Sequence, residues 1–316
     1  MVRASIIMSA MSTVLSVRDV AKSFGDVKAV DGVSFEIRKG TLTGLLGRNG
    51  AGKTTLLRMI NGVFLPDRGS IAVLGGDAAA SRDRLGYLPE ERGLYKKMKV
   101  RELLLFLAEI KGRKPAAAKA PAEHWLRRFE LWDHRDTKLE ELSKGNQQKV
   151  QLIGALLHDP DLLLLDEPMS GLDPVNVVLV RRLLLELKAE GRTILLSTHQ
   201  MAEAEKLAEE IVLIHHGRVV LAGSLGDVRA SSGTNTVTLG FEGDGDFLTS
   251  LPGVAGGRVD TNQAELVLGA GCEPQAVLAA AMARVVIRRF EVMAPSLEQI
   301  FIERVGEATL AGGGAA

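Results

Sequence analysis

The sequence predicts an α/β fold with a mixed sheet as its core, an antiparallel β layer and a helical subdomain, followed by a small α+β domain. Three observations support this prediction. An apolar run at 42–46 leads through a glycine-rich loop into a helical pattern at 54–60. Two further apolar runs, at 162–165 and 193–197, alternate with helical segments, which is typical of parallel strands buried on both faces. Beyond 231–234 the pattern of strands and helices starts again.

The glycine-rich loop reads GRNGAGKTT at 47–55 and predicts a binding site for nucleotide phosphates. Glycine allows backbone conformations that a Cβ would forbid, so N–H groups can converge on a phosphate, and the next helix adds its dipole. Lys53 would reach the β- and γ-phosphates, and the Thr54 hydroxyl would bind Mg²⁺. A glycine-rich turn without a ligand is the alternative, which the strand–loop–helix context disfavours. The predicted nucleotide-binding residues of the loop are Gly47, Arg48, Asn49, Gly50, Ala51, Gly52, Lys53, Thr54 and Thr55.

Two carboxylates follow the second apolar run, and ligands of open α/β sheets bind at the carboxyl ends of strands. Asp166 is predicted to hold Mg²⁺, and Glu167 to orient or deprotonate the attacking water. A solvated acidic turn is the alternative, and the upstream phosphate loop favours the functional interpretation. His199 ends the third run, where it would hydrogen-bond a γ-phosphate. Lys53, Glu167 and His199 are therefore the predicted catalytic residues.

Two more motifs are LSKGN at 142–146 and GLD at 171–173. Together with the phosphate loop, the acidic strand end and STH at 197–199, they follow the motif order of the ATP-binding cassette (ABC) family of transporter ATPases. Residues 15–226, about two thirds of the chain, resemble that family. The resemblance is specific, because five motifs occur in the family's order.

The resemblance implies a head-to-tail dimer with each ATP between the phosphate loop of one copy and the LSKGN motif of the other. Ser143 and Gly145 would contact the γ-phosphate held by the second copy, and Asp173 would bridge the two sites. Phe24 would stack on adenine. Read from the residues alone, Ser143 precedes a helical pattern at 147–158 and predicts a helix N-cap. Both roles can hold, because a capped helix start can still face a phosphate.

The sequence departs from the family pattern at several positions. LSKGN replaces the usual LSGGQ, Glu90 stands where the family usually has Gln, and Arg48 replaces a common Pro. Glu90 still offers an oxygen to Mg²⁺, so the predicted metal ligands are Thr54, Glu90 and Asp166, and the predicted cofactors are ATP and Mg²⁺. The combination resembles the branch of the family that exports sodium, drugs or polysaccharide with a separate membrane partner.

Composition limits the possible classes of function. The 316 residues suffice for two domains, and a hydrophobic content of 46% supports a large core. Lys+Arg and Asp+Glu both number 39, so no net charge points to nucleic acid. The single cysteine, Cys272, excludes an internal disulfide and fits a reducing cytosol. No apolar stretch approaches the ~18 residues of a membrane-spanning helix, so a membrane part would belong to another chain.

The predicted domains are a disordered tail (1–12), a nucleotide-binding domain (13–230) with a helical subdomain at about 91–159, a ferredoxin-like accessory domain (234–306) and a flexible tail (307–316). Inside the helical subdomain, the Ala-, Lys- and Pro-rich segment 112–121 predicts a flexible link. The accessory domain has the order β-α-β-β-α-β of a split β-α-β module. It carries no catalytic constellation, so we expect it to serve dimerisation or regulation.

Two weaker features leave alternatives open. The basic run at 95–101 is either a solvated face or a docking surface for a membrane partner. His215 and His216 are adjacent, and adjacent residues of a strand point to opposite faces, which disfavours a metal site.

Together with the resemblance to the ABC family, these features predict an ATPase, and the resemblance implies that it is the motor subunit of an exporter. It would dimerise with a second copy of itself around two ATP and drive a separate polytopic membrane permease, without nucleic acid as a partner. It would be cytoplasmic and peripheral on the inner face of the cell membrane. The alternative is a non-transport ABC ATPase that acts on ribosomes or nucleic acid, disfavoured here by the single phosphate loop and the lack of a long heptad run. The LSKGN motif and the acidic pair disfavour a P-loop kinase or GTPase.

Overall fold

The computed structural model of the chain describes residues 12–91, 93, 95–231, 236–269, 271–293 and 295–312. Between Gly223 and Ser224 the chain divides into an N-terminal and a C-terminal unit. This division lies before the predicted boundary at 231–234, because the helix that precedes the serine and glycine signal belongs to the C-terminal unit. Most of the predicted N-terminal tail and the last four residues lie outside the described residues.

The N-terminal unit is built from strands and helices that include the predicted antiparallel layer, phosphate-loop helix and buried strands. In chain order they are β1 (Thr13–Phe24), β2 (Val27–Arg38), β3 (Leu42–Leu46), α1 (Lys53–Ile60), β4 (Arg68–Val73), β5 (Leu85–Leu88), α2 (Val100–Ile110), α3 (Pro115–Arg128), α4 (Lys144–Leu156), β6 (Leu162–Asp166), α5 (Pro174–Ala189), β7 (Thr193–Thr198), α6 (Met201–Ala204), β8 (Glu210–His215) and β9 (Arg218–Ser224).

A sheet with the strand order β5-β6-β7-β3-β8-β9 lies at the centre of this unit. The neighbours from β5 to β8 pair in parallel, and every residue of β3, β6 and β7 is buried. Continuous apolar runs are the signal of such strands, because both faces are covered. Leu46 lies beside Thr198, and Asp166 beside Ser197, so the three strands end at one edge of the sheet. The predicted α/β fold is confirmed.

An antiparallel layer covers the phosphate-loop helix. Its strand order is β2-β1-β4, and buried residues such as Leu15 and Ile37 share one hydrophobic core with Leu56 and Leu57 of α1. Burial of this kind stabilises a fold by about 25 cal/mol for each Å² of apolar surface. The layer therefore fixes α1, and with it the end of the glycine-rich loop.

The prediction of a flexible link inside the helical subdomain is wrong for most of its length. The segment 112–121 is not a flexible link from Pro115 onward, because α3 starts there. Proline suits the first turn of a helix, where its missing N–H would have no partner. Ala118 and Ala122 are buried and give the segment an apolar side, and the helix continues through Pro121. Within the described residues, no helix combines the length and the apolar character required to cross a lipid bilayer.

The C-terminal unit forms its own antiparallel sheet. Its elements are α7 (Leu225–Ser231), β10 (Thr236–Glu242), β11 (Val254–Val259), β12 (Gln263–Leu268), α8 (Pro274–Met282), β13 (Val286–Met293) and α9 (Leu297–Gly312). The strand order is β11-β12-β10-β13, and every neighbouring pair is antiparallel. One face of the sheet packs into a core that contains Val237, Leu239, Phe241 and Leu266. The sequence prediction of a small α+β domain at the C-terminal end is confirmed.

Two details of the C-terminal unit differ from the prediction. The first helix of the predicted β-α-β-β-α-β order, expected near 246–251, is a short 3₁₀ helix, Asp246–Ser250, too short to form a full crossover helix. At the other end, α9 extends to Gly312, so residues 307–312 of the predicted flexible tail are helical. Ala and Leu in that stretch favour a helix, which a reading based on glycine content overlooks.

Candidate active site

A cleft lies at the edge where β3 and β6 end. It is lined by Val27, Lys28, Ala29, Asn49, Gly50, Ala51, Gly52, Lys53, Thr54, Thr55, Glu90, Asp166, Glu167 and His216. The structure therefore brings most of the predicted phosphate loop together with three of the four predicted carboxylates, Glu90, Asp166 and Glu167. These residues are distant in sequence, and the parallel pairing of the strands places them side by side.

The backbone of the loop requires glycine where the chain turns toward the cleft. Gly52 has φ 105°, and a Cβ there would lie 2.3 Å from the carbonyl oxygen of Ala29. Gly47 has φ 155°, and a Cβ there would lie 2.3 Å from the carbonyl oxygen of Ile214. Both contacts are far shorter than a van der Waals contact. Helix α1 begins at Lys53, directly after Gly52, so its free N–H groups open into the cleft.

The Lys53 side chain folds back over the loop. Its Nζ donates hydrogen bonds to the carbonyl oxygens of Gly47 (2.7 Å) and Arg48 (3.2 Å). Burial lowers the pKa of Lys53, and the carboxylates of Glu167, Asp166 and Glu90 act in the opposite direction. The ammonium thus lies inside the loop and close to three negative groups, where it can balance the charge of a phosphate.

Asp166 is the last residue of β6 and is fully buried. Within the described part of the chain, neither of its carboxylate oxygens has a hydrogen bond of normal geometry. Burial raises the pKa of Asp166, and the nearby hydroxyls of Thr54 and Ser197 lower it to a smaller extent. A buried carboxylate without a partner is costly, so it indicates a ligand that brings positive charge.

The donor set around Asp166 suits Mg²⁺. Thr54 and Glu90 line the same cleft as Asp166, and all three offer oxygen, which is the ligand atom that Mg²⁺ prefers. The unpartnered carboxylate of Asp166 is the group that a divalent cation would satisfy. The residues present therefore fit the cation.

Glu167 is held by the neighbouring strand. Its carboxylate accepts hydrogen bonds from Thr198 Oγ1 (3.0 Å) and from the backbone N–H of His199 (2.8 Å). The His199 ring nitrogen Nδ1 lies 2.6 Å from the same carboxylate. Glu167 also has a positive φ of 49°, and its N–H donates to the carbonyl oxygen of Ser197 (2.9 Å). The end of β7 thus orients the carboxylate that follows β6.

The remaining predicted residues lie at other places in the unit. Ser143 is the N-cap of α4, and its hydroxyl accepts a hydrogen bond from the N–H of Asn146 (3.2 Å). Gly145 lies in the first turn of that helix, and Asp173 caps α5. Phe24 is half exposed at the end of β1, where its ring packs edge-on against Phe64. The described residues that line the cleft do not include Phe24, Ser143, Gly145 or Asp173.

Two residues contribute to the site although the sequence predicts no role for them. Thr198 is one of them, and its hydroxyl donates a hydrogen bond to the Glu167 carboxylate beside the two contacts from His199. His216 lines the cleft from the turn after β8, and no motif marks it. The expectation that His215 and His216 point apart is wrong, because their ring centroids lie 4.1 Å apart. His216 has φ 46° and leaves the strand geometry on which the expectation rested.

Comparisons with known proteins agree with this geometry. A family model described as ABC transporter matches residues 30–170, and a model described as ATP-binding protein DrrA1-3-like, C-terminal domain, matches residues 223–305. The uncharacterized ABC transporter ATP-binding protein YhaQ of Bacillus subtilis (strain 168) is 44% identical over 293 residues, which cover 92% of this chain and 98% of YhaQ. The chain belongs to the ATP-binding subunits of ABC transporters.

This ABC subunit is also similar to an ATP-binding protein named for export and to a solved structure of an ABC subunit. Nod factor export ATP-binding protein I of Rhizobium sp. (strain N33) is 36% identical over 91% of this chain and 95% of its own length. The structure of cbiO1 from Clostridium perfringens, described as part of the ABC transporter complex cbiONQ, has a TM-score of 0.61 and 27% identity over 70% of this chain and 92% of that one.

Membership of the family makes this ABC subunit an ATPase whose ligand is ATP. ATP-binding subunits of ABC transporters work with membrane permease partners.

Proposed function

We propose that two copies of this chain enclose two ATP molecules between them and drive a separate polytopic permease that exports a substrate. The observation that carries the proposal is the division of the predicted site residues. Lys53, Asp166 and Glu167 share one cleft, whereas Ser143 and Asp173 cap other helices. A second copy placed head to tail would bring its α4 N-terminus to this cleft, as the family resemblance implies.

Within one cleft, the roles follow from the contacts. The loop N–H groups and Lys53 would bind the β- and γ-phosphates, and Thr54, Glu90 and Asp166 would hold Mg²⁺, which supplies positive charge beside the phosphates. Glu167 would orient the attacking water and accept its proton. His199 would keep Glu167 in place through Nδ1 and offer its remaining ring edge to the γ-phosphate. Phe24 would stack on adenine.

The two copies would together form each ATP site, which is called the composite site from here on. Ser143 and the N-terminus of the helix that it caps would bind phosphate from one side of this site. Ser143 accepts from the N–H of Asn146, and the other first-turn N–H groups of α4 remain to face the second copy. Lys144 in the same turn adds positive charge that the family's usual glycine would lack. Asp173 would link the two sites across the dimer.

Export is the proposed direction because a relative named for Nod factor export aligns over 91% of this chain. The permease would anchor the protein on the inner face of the cell membrane. The C-terminal unit would regulate or pair the two copies, since it lacks the residues of a second site among those the structure describes.

The head-to-tail arrangement can be tested by mixing two inactive variants. In Lys53→Ala both composite sites lose the phosphate-loop ammonium, and in Ser143→Arg both lose the serine that would face the γ-phosphate. A mixed dimer contains one intact site, made from Lys53 of one chain and Ser143 of the other. Equal mixing should thus restore about a quarter of wild-type ATP turnover, because half of the dimers are mixed and each has one working site.

A control mixture joins Lys53→Ala with the double variant that carries both substitutions, and it should stay inactive. If the first mixture also stays inactive while each variant still binds its partner, ATP is not shared between copies and the dimer proposal is wrong. The permease is tested by purifying the tagged protein from detergent-solubilised membranes and identifying what accompanies it. A stoichiometric polytopic membrane protein supports the proposal, and ribosomal proteins without a permease contradict it.

A further inference from the structure

Strand β13 forms one edge of the C-terminal sheet. It pairs with β10 on one side, and among the described residues no strand pairs with its other side. Apolar side chains are exposed along this edge: Val286 is 56% exposed, Val292 49% and Met293 44%. Unpaired N–H and C=O groups beside apolar residues are a template for a further strand.

The side chains of β13 divide between the two faces of the sheet. Phe290 lies opposite the buried Leu239 and packs against the core. Arg289 lies opposite Gly240, and Glu291 opposite Thr238, so both occupy the other face. There Arg289 and Glu291 form an ion pair with each other along the strand, and both remain largely exposed.

We propose that β13 pairs in antiparallel fashion with β13 of a second copy, about a two-fold axis at Phe290. In this register Arg289 of each copy lies directly opposite Glu291 of the other, and the two Phe290 residues face each other on the core side. Directly opposite residues share a face of the sheet, so two cross-strand ion pairs form on one face. The two C-terminal sheets would become one continuous sheet.

Charge selects this register over its neighbours. Two identical antiparallel strands always pair symmetrically, so the only freedom is the residue at the axis. An axis at Arg289 or at Glu291 places that residue opposite itself, which brings like charges together. From Arg289 to Met293 the strand alternates regularly, so an axis between two of these residues sets a core-facing side chain against one of the other face, which the pleat of the sheet does not allow. The register is shifted at Arg288, and an axis between Arg288 and Arg289 would place these two like charges opposite each other.

This contact is separate from the ATP-dependent dimer. It involves the C-terminal unit, and it requires neither nucleotide nor the phosphate loop. It would keep two copies together after hydrolysis has opened the ATP sites. Whether the β13 contact forms can therefore be tested independently of whether two copies share their ATP sites.

The test uses charge reversal in the full-length, nucleotide-free protein, with self-association measured by sedimentation velocity. Arg289→Glu makes both positions of the strand acidic, and Glu291→Arg makes both basic. Each variant alone should self-associate about ten- to a hundredfold more weakly than the wild type, because like charges replace two ion pairs. Mixed in equal amounts, the two variants should associate with each other at wild-type strength, since every acidic residue then faces a basic one.

Arg258→Glu is the matched control. Arg258 lies on β11, the opposite edge of the same sheet, and its reversal should leave self-association unchanged. Circular dichroism of all variants verifies that the C-terminal unit is folded. Monomeric wild-type protein without nucleotide at micromolar concentration would overturn the proposal, and so would a failure of the mixture to associate. Dimerisation of Arg289→Glu that appears only when ATP is added would show that this contact is distinct from the ATP-dependent one.

Discussion

The side chain of Thr198 is predicted to set the orientation of the catalytic carboxylate. Its hydroxyl accepts a hydrogen bond from the N–H of Gln200 (3.0 Å), so its own proton is left to donate to Glu167 (3.0 Å). Thr198→Val keeps the branched shape and removes both bonds. Glu167 then retains only the two bonds to His199 among the described contacts of its carboxylate.

The size of the effect follows from the charge of the acceptor. A hydrogen bond to a charged group contributes about 1.5–3 kcal/mol, and each 1.4 kcal/mol in the barrier changes a rate about tenfold. If the Thr198 bond is used to hold Glu167 in its productive orientation, kcat falls by about ten- to a hundredfold. The affinity for ATP should not change, because Thr198 is absent from the described lining of the cleft.

The assay is steady-state ATP turnover, together with ATP binding and urea unfolding. Thr198→Ser restores the hydroxyl and should restore kcat. Thr193→Val is the matched control at the other end of β7: Thr193 is equally buried, and its hydroxyl accepts from the N–H of Gly40 (3.0 Å). It should lower the free energy of unfolding by about 1–3 kcal/mol without changing kcat. Equal kcat for the two valine variants would refute the positioning role of Thr198.

Three further predictions concern the same cleft. Glu167→Gln should bind ATP and form a stable dimer but hydrolyse at least about a hundredfold more slowly, and unchanged turnover would exclude Glu167 as the base. Because burial raises the pKa of Asp166, the folded state binds its proton more tightly than the unfolded state, and the resulting stability is lost as pH rises through the folded pKa. Asp166→Asn should therefore raise the free energy of unfolding of nucleotide-free protein at neutral pH, with a gain that shrinks toward acid pH in urea titrations, and should abolish the Mg²⁺ dependence of ATP binding. Gly52→Ala should weaken ATP binding and destabilise the fold by about 1–3 kcal/mol more than Gly50→Ala, since a Cβ at Gly52 meets Ala29 whereas a Cβ at Gly50 meets nothing within 4 Å.

Sequence reasoning located the fold and the cleft because both depend on local patterns. The apolar runs that became β3, β6 and β7 are buried along their whole length, and parallel strands with covered faces have no other common sequence signal. Gly52 is required because the backbone there has a positive φ and lies against Ala29. The spacing of the glycines in the motif already implies a glycine at this position. The alignment of strand ends then follows from the parallel pairing itself.

Features that depend on tertiary contacts were not predictable. The helix at Pro115–Arg128 consists largely of good helix formers, and its two prolines are the residues that favoured a link. The helix accommodates both prolines while Ala118 and Ala122 are buried, and burial cannot be read from composition. The ring contact of His215 and His216 depends on one positive φ in a turn. Thr198 was missed for a similar reason, since its function depends on a carboxylate 31 residues away.

The conformation of Glu167 explains why the catalytic carboxylate and His199 act as one unit. A non-glycine residue with φ near 49° is strained by about 1–2 kcal/mol, so the strain must be offset by contacts that exist only in this conformation. The contacts of its N–H and of its carboxylate come from β7 and the residue after it: the carbonyl oxygen of Ser197, the hydroxyl of Thr198 and two groups of His199. A shift of β7 against β6 would therefore release the carboxylate and the histidine together. It follows that a substitution of His199 should disturb water activation through Glu167 as well as any contact with the γ-phosphate, and that the two effects cannot be separated by His199 variants alone.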